Sequence, residues 1–218
     1  DLGNEADSAT TNDANGNYMF TGLPIGPAYS FTVSVDTAAL PAGMQSPTFD
    51  SDGNNNSVTP SIVLLDAVPV TTIDFGYTGS GSIGDLVWFD LNDSRTAVAD
   101  AAENGIPGVT VVVTWAGFDG ILGTADDIAY PTTTNASGGY LADNLPAGVY
   151  AVTVDPTTLP FGLAPTFDPN GVSTANTATT TLAADEDRRD MDFSYSGNGS
   201  IGDTIWLDLD GDGVVDIG

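Results

Sequence analysis

The segment DFGYTGSGSIGDLVWFD (residues 74–90) returns as DFSYSGNGSIGDTIWLD (residues 192–208). The offset of 118 carries Tyr77 onto Tyr195 and Trp88 onto Trp206. SPTFD, ending at Asp50, returns at the same offset as APTFD, ending at Asp168. A longer block, NDANGNYMFTGLPIGPAYSFTVSVDTAALP, returns as NASGGYLADNLPAGVYAVTVDPTTLP, with offsets drifting between 119 and 122 through small indels. Blocks that recur in one order at one spacing are an internal duplication, and the period fixes the size of the folding unit. A period of 118 residues is that of a domain rather than a solenoid turn.

One complete unit runs over residues 79–197. Residues 1–78 carry a partial unit lacking its first strands. Residues 198–218 carry the opening strand and acidic loop of a third. Joining the two partial units still omits the counterpart of about residues 103–120, including the strand that ends at Trp115. Two arrangements fit. Either the chain is a window on a longer head-to-tail polymer, the preferred expectation, or neighbouring copies complete each other by strand addition.

Within the unit the apolar residues alternate. Val109, Val111, Val113 and Trp115 share one face, with Thr110 and Thr114 on the other. Tyr29, Phe31, Val33 and Val35 alternate with Ser30, Thr32, Ser34 and Asp36, and Tyr150, Val152 and Val154 repeat the pattern. Met191, Phe193 and Tyr195 alternate with Asp190, Asp192 and Ser194. A period of two marks half-buried antiparallel strands. Asn15-Gly16, Ser137-Gly138, Pro24 and Pro146 punctuate the runs. Many short strands with regular turns predict tandem all-β, Ig-like or prealbumin-like antiparallel sandwiches. Trp88, Trp115 and Trp206 are expected in the core. The Ala-rich stretch 96–103, the one helix-like segment, reads as a loop insertion.

Composition then removes most chemistry. Thirty acidic residues face three basic ones, all Arg (Arg95, Arg188 and Arg189), for a net charge of −27. That charge repels nucleic acid and anionic membranes. No Lys, His or Cys occurs. Zinc sites, Ser–His triads, thiol nucleophiles, disulfides, Schiff bases and Lys–Asn isopeptide staples are therefore unavailable. No apolar run is long enough to span a bilayer. The best, residues 61–70, is broken by Asp66 and Pro69. The donors left in quantity are carboxylates and carbonyls, hard oxygens suited to calcium.

Those donors fall in loops. In DLDGDGVVD, Asp208, Asp210, Asp212 and Asp216 hold positions 1, 3, 5 and 9. Gly213 holds position 6, and Val214 offers a carbonyl at position 7. This is the ligand order of an EF-hand loop, here following an expected strand at residues 201–207 rather than a helix. Carboxylates gathered so closely repel one another unless a cation joins them. The counterpart in the complete unit is degenerate: Asp90, Asn92 and Ser94, then the insertion, then Asp100 and Glu103. Asp119, Asp126 and Asp127 form a second candidate loop, with Asp1 and Asp7 as its remnant in the first unit. The run 185–190, interrupted by Arg188 and Arg189, is expected as a surface loop with local ion pairs.

The stretch GSIGDLVWFD, then GIPGVTVVVT, then TTTNASGGYLADNLPAGVYAVTVD resembles the B-type repeat of bacterial serine-aspartate repeat and collagen-adhesin surface proteins. The signatures are residues 81–85, Trp88, the acidic loop and Tyr-x-x-x-x-Leu-Pro at residues 18–24 and 140–146. The resemblance covers nearly the whole chain. It implies a prealbumin-like sandwich at the cell surface with calcium held at Asp208, Asp210, Asp212 and Asp216, and at Asp90, Asn92, Asp100 and Glu103. The insertion after Ser94 departs from the pattern. The expected function is an extracellular stalk or filament of calcium-stabilised repeats whose partners are adjacent repeats or copies of itself. The alternative is an adhesin for a host or neighbouring-cell ligand. No enzyme is expected, because every acidic pair sits in a repeat-type loop whereas a catalytic pair would break the symmetry.

Overall fold

The computed structural model describes residues 7, 9, 16–44, 46–209 and 211–214. Branched and aromatic residues at alternate positions put one face of each strand into a core and leave the other to polar neighbours. In the complete unit, Val111, Val113 and Trp115 are 3% exposed or less, while the residues between them are half-buried. Their strand β4 (Thr110–Trp115) lies between β5 (Ile128–Thr133) and β7 (Gly148–Val154), antiparallel to both. The strand β9 (Thr177–Leu182) closes this four-stranded sheet on the far edge of β7.

The second sheet is built on β3 (Gly81–Phe89). The N-terminal part of β3 pairs antiparallel with β6 (Gly139–Leu145). It also pairs in parallel with β10 (Asp187–Arg188) and, at Val87 to Phe89, with β11 (Phe193–Gly197). The strand β8 (Leu163–Phe167) is antiparallel to β11. The two sheets enclose one core, with Ile83, Val87, Phe193 and Tyr195 on one side and Val113 and Val152 on the other. Each such side chain contributes roughly 1.5–3 kcal/mol by leaving water. Trp88 and Trp115 are buried as expected, and residues 96–103 form a loop.

Residues 46–78 contain a two-stranded sheet, β1 (Ser46–Asp50) with β2 (Phe75–Thr78). Its register pairs Ser46 with Thr78, Pro47 with Tyr77 and Phe49 with Gly76. The β8–β11 register pairs Ala164 with Ser196, Pro165 with Tyr195 and Phe167 with Ser194, the same pairs displaced by 118, irregularity included. A tyrosine latch also recurs. Tyr18 donates to the Ile73 carbonyl at 2.7 Å, and Tyr140 donates to the Met191 carbonyl. The leading Tyr of each Tyr-x-x-x-x-Leu-Pro motif thus pins the segment that enters the closing strand.

Several strand expectations need correction. Residues 29–35 form only isolated bridges, Phe31 to Ile62 and Ser34 to Val58. Their counterpart β7 is braced on both edges, by β4 and β9, whereas residues 29–35 have described ladder contacts on one side only. Residues 201–207 form no strand, and Trp206 is 42% exposed rather than core. Among the described residues nothing does for this segment what β6 and β11 do for β3. The closing strand is not half-buried, because Asp192 and Ser194 are buried together with Phe193 and Tyr195. The ladders are not all antiparallel, since β3 meets β10 and β11 in parallel. Finally, the acidic run at 185–190 is more than a loop. It supplies β10, flanked by the expected pairs of Arg188 with Glu186 and Asp190 and of Arg189 with Asp187.

Candidate metal centre

The strand β3 delivers Asp90 to the edge of the sandwich, where it is 1% exposed. Its backbone N–H donates to the Tyr195 carbonyl, so β11 anchors the loop start. One carboxylate oxygen accepts from the Ser94 N–H at 2.8 Å and the other from the Arg95 N–H at 3.1 Å. Burial pushes this carboxyl up. The N–H groups of Arg95, Ser94 and Asp93, with the Thr166 hydroxyl, outweigh that and hold it below the usual carboxylate range.

The insertion folds back onto this start. Asn92 accepts from the Ser94 N–H at 2.9 Å and donates its amide to Asp100 at 2.6 Å. Glu103 accepts from the Leu91 N–H at 2.9 Å with one oxygen and from the Asp100 N–H at 2.8 Å with the other. Asp90, Asn92, Ser94, Asp100 and Glu103 therefore belong to one hydrogen-bonded loop despite the inserted residues. As donor types, three carboxylates, an amide oxygen and a hydroxyl suit a hard divalent cation, although the three carboxylates as they stand are not close enough together to hold one. Arg95 stays out of the ring, because its guanidinium pairs with Asp93 at 3.0 Å on the outer side.

The other loops are organised differently. Asp126 accepts from the Phe118 and Asp119 N–H groups and from the Thr124 hydroxyl. Asp119 accepts from Ile121 N–H, and Asp127 from Gly123 N–H at 2.7 Å. Each carboxylate thus closes its own turn instead of facing the others, although Asp127 keeps one buried oxygen without a partner. At the third loop, Asp208 gathers the N–H groups of Gly211, Asp212 and Gly213, and Asp212 accepts from Val214. Asp1, Asp210 and Asp216 lie outside the described residues, and Asp7 is exposed. Among the described residues, no three acidic side chains are close enough together to hold a metal ion.

Three buried acids carry no such expectation from the sequence, namely Asp50, Asp168 and Asp192. Asp168 is 3% exposed and bonds Asn170 N–H at 3.0 Å with one oxygen, leaving the other without a partner. Burial raises its carboxyl above the usual range. Its signal was present, since it ends the repeated PTFD block. Asp192 is 8% exposed and accepts from Leu86 N–H at 3.0 Å. Burial first, then the charges of Asp85 and Asp190, push it up to about 7 against the bond from Leu86.

A family model described as the SdrD B-like domain matches residues 81–195. The chain belongs to the SdrD B-like domain family. Its relatives include the serine-aspartate repeat-containing protein F of Staphylococcus epidermidis, 32% identical over 214 residues that cover 95% of this chain and 11% of that protein. Protein E of Staphylococcus aureus strain USA300 is 32% identical, covering 94% of this chain and 17% of that one. Protein D of strain MW2 is 33% identical, covering 95% and 15%. This SdrD B-like chain thus spans less than a fifth of those relatives. Among solved structures, the minor pilin GBS52 of Streptococcus agalactiae aligns with 16% identity and a TM-score of 0.37 over 90% of this chain and 70% of that one. The major pilin SpaD of Corynebacterium diphtheriae aligns with 15% identity and a TM-score of 0.33, covering 54% and 32%. The expected family agrees with the family model and the relatives, and the expected all-β class with the sheets described above. No helix among the described residues is long and apolar enough to cross a membrane.

Proposed function

We propose that this chain is a stretch of an extracellular, cell-surface stalk built from tandem β-sandwich repeats, with calcium closing the acidic loop after β3. The observation that carries the reading is the recurrence of one strand register, pair for pair, 118 residues along the chain. A duplicated unit with short connectors adds length. The acidic pairs sit in loops of the repeat type, which supports a non-enzymatic role. The names of the relatives, which describe serine-aspartate repeat proteins, support the same reading.

Asp90, Asn92, Ser94, Asp100 and Glu103 would hold the ion. It would supply charge neutralisation where the chain's own N–H groups satisfy only part of the donor set. Asp208, Asp210, Asp212, Val214 and Asp216 would do the same in the next loop, and Asp119, Asp126 and Asp127 would need to turn outward to join. Extracellular calcium modules bind at roughly 10⁻⁴–10⁻³ M. At about a hundredfold excess over that constant, one site adds about 2.7 kcal/mol to folding stability. For a unit of this size that is a shift of about 10 °C in Tm. Thermal unfolding with calcium and with excess chelator tests this, and an unchanged midpoint would sink it.

The adhesive alternative calls for a contiguous apolar or aromatic surface. The large exposed aromatics of the complete unit are Phe118 and Phe161. Phe118 lines the cleft towards the preceding region, and Phe161 sits on a turn at the far end, so the stalk reading has a use for both.

A further inference from the structure

We propose that residues 41–44 form a docking key that sets one unit on the β6–β7 turn of the unit that follows, and that residues 160–163 are the next copy of the key, presenting Phe161 to the succeeding repeat. The idea rests on the stalk reading for its purpose but not for its geometry.

The receiving turn, residues 144–147, is gripped at two points by two separate segments. Ala147 N–H donates to the Ala42 carbonyl at 2.9 Å, and Gly79 N–H donates to the Asn144 carbonyl at 3.1 Å. The Ala42 bond joins the two units, and the Gly79 bond, inside the complete unit at the entrance to β3, ties the connector from β2 to the same turn. The fit leaves no slack at Gly79, where an added Cβ would lie 2.0 Å from the Leu145 carbonyl carbon. The key itself turns at Gly43, with φ +81°, where an added Cβ would come within 3.0 Å of the Ser80 hydroxyl and 3.6 Å of Ala184. Between the two sides lies a cleft of about 310 Å³, with Met44 and Tyr77 facing Trp115, Phe118 and Tyr130.

Both halves of the contact recur. The key of the complete unit turns at Gly162, φ +84°, and an added Cβ there would lie 3.4 Å from Asn198, the residue equivalent to Ser80. Its tip, Phe161, stands where Ala42 does and is fully exposed. The receiving turn recurs as well. Asn144 has φ +59°, and Gly22, its counterpart in the first region, has φ +74°. A unit with a key at one end and a receiver at the other makes a heterologous, head-to-tail contact, which propagates into a rod instead of closing. The partner recognised by Phe161 is therefore the β6–β7-type turn of a further copy of this repeat.

The chain contains no Cys, so single thiols can be placed freely. Spin labels at Ser61→Cys and Thr181→Cys, both exposed and outside the joint, report the angle between the regions by pulsed EPR with calcium present. The native chain should give one narrow distance distribution. Gly43→Val should broaden it into many distances while the complete unit melts where it did before. Gly53→Val, at a similar φ of +76° but with nothing within 4 Å of the added atom, should leave it narrow. A broad distribution in the native chain, or a Gly43→Val variant as narrow as the native, overturns the proposal. Neither result depends on whether the acidic loops bind calcium, which is read separately from the melting temperature.

Discussion

The ladder of residues 46–78 and its counterpart across residues 163–197 share register, irregularity and latch, yet only the second encloses a core. Phe49 is 53% exposed, while its counterpart Phe167 packs on Trp88 with ring centroids 6.3 Å apart. Tyr77 is half-buried, whereas Tyr195 is 1% exposed. Asp74 is exposed, whereas Asp192 is buried. The comparison separates two sources of order. The β8–β11 pairing and the tyrosine latch are local enough to form in either setting. In the complete unit burial comes from β3 and from the β4–β5 hairpin, and among the described residues none covers the ladder of residues 46–78 in that way.

The sharpest way to break this comparison is to treat equivalent residues alike and look for unequal effects. Trp88→Ala should cost about 3–5 kcal/mol, since it empties a core position. Trp206→Ala, at the same place in the motif but 42% exposed, should stay within about 0.5 kcal/mol. Denaturant unfolding reads both, and equal costs would mean that residues 200–207 are packed after all. Next in size is the latch. Tyr140→Phe leaves the buried Met191 carbonyl without its donor and should cost about 1–3 kcal/mol. Tyr18→Phe, in a half-buried setting, should cost about 1 kcal/mol or less by the same measurement.

A further effect is a slope with pH. The folded-state value of Asp192, about 7, lies above its ordinary value of 3.8, so the folded state binds more protons than the unfolded one between these limits. Its contribution to stability is therefore fully present below about 4 and is lost as the pH rises through about 7. Asp192→Asn keeps an acceptor for the Leu86 N–H and should flatten this slope. It should leave stability unchanged near pH 3 and raise it near pH 8. Equilibrium unfolding across that range checks it, and an unaltered slope would place Asp192 in a solvated setting like that of Asp74.

Much of this was legible in the residues. Alternation located β4, β7 and β11, and the duplicated blocks matched strand to strand. Alternation says which residues share a face but not what covers the other one. Asp192 was read as solvent-facing because its cover comes from Leu86, 106 residues away in sequence. The parallel pairing of β3 with β10 and β11 was hidden for the same reason, since partner choice over such separations leaves no local trace. For the acidic loops, the order of the donors was legible but their aim was not. Asp90 and Glu103 turn onto one loop, whereas Asp119, Asp126 and Asp127 spend their oxygens on separate neighbouring N–H groups and hydroxyls. A spacing rule cannot distinguish those two outcomes.

The most direct test of the account is a calorimetric calcium titration of the native chain beside an Asp90→Asn, Glu103→Gln double variant. The account predicts saturable uptake by the native chain at roughly 10⁻⁴–10⁻³ M, with the variant losing sites that the native chain fills. A native chain that takes up no calcium, or a variant that takes up as much as the native, would contradict it.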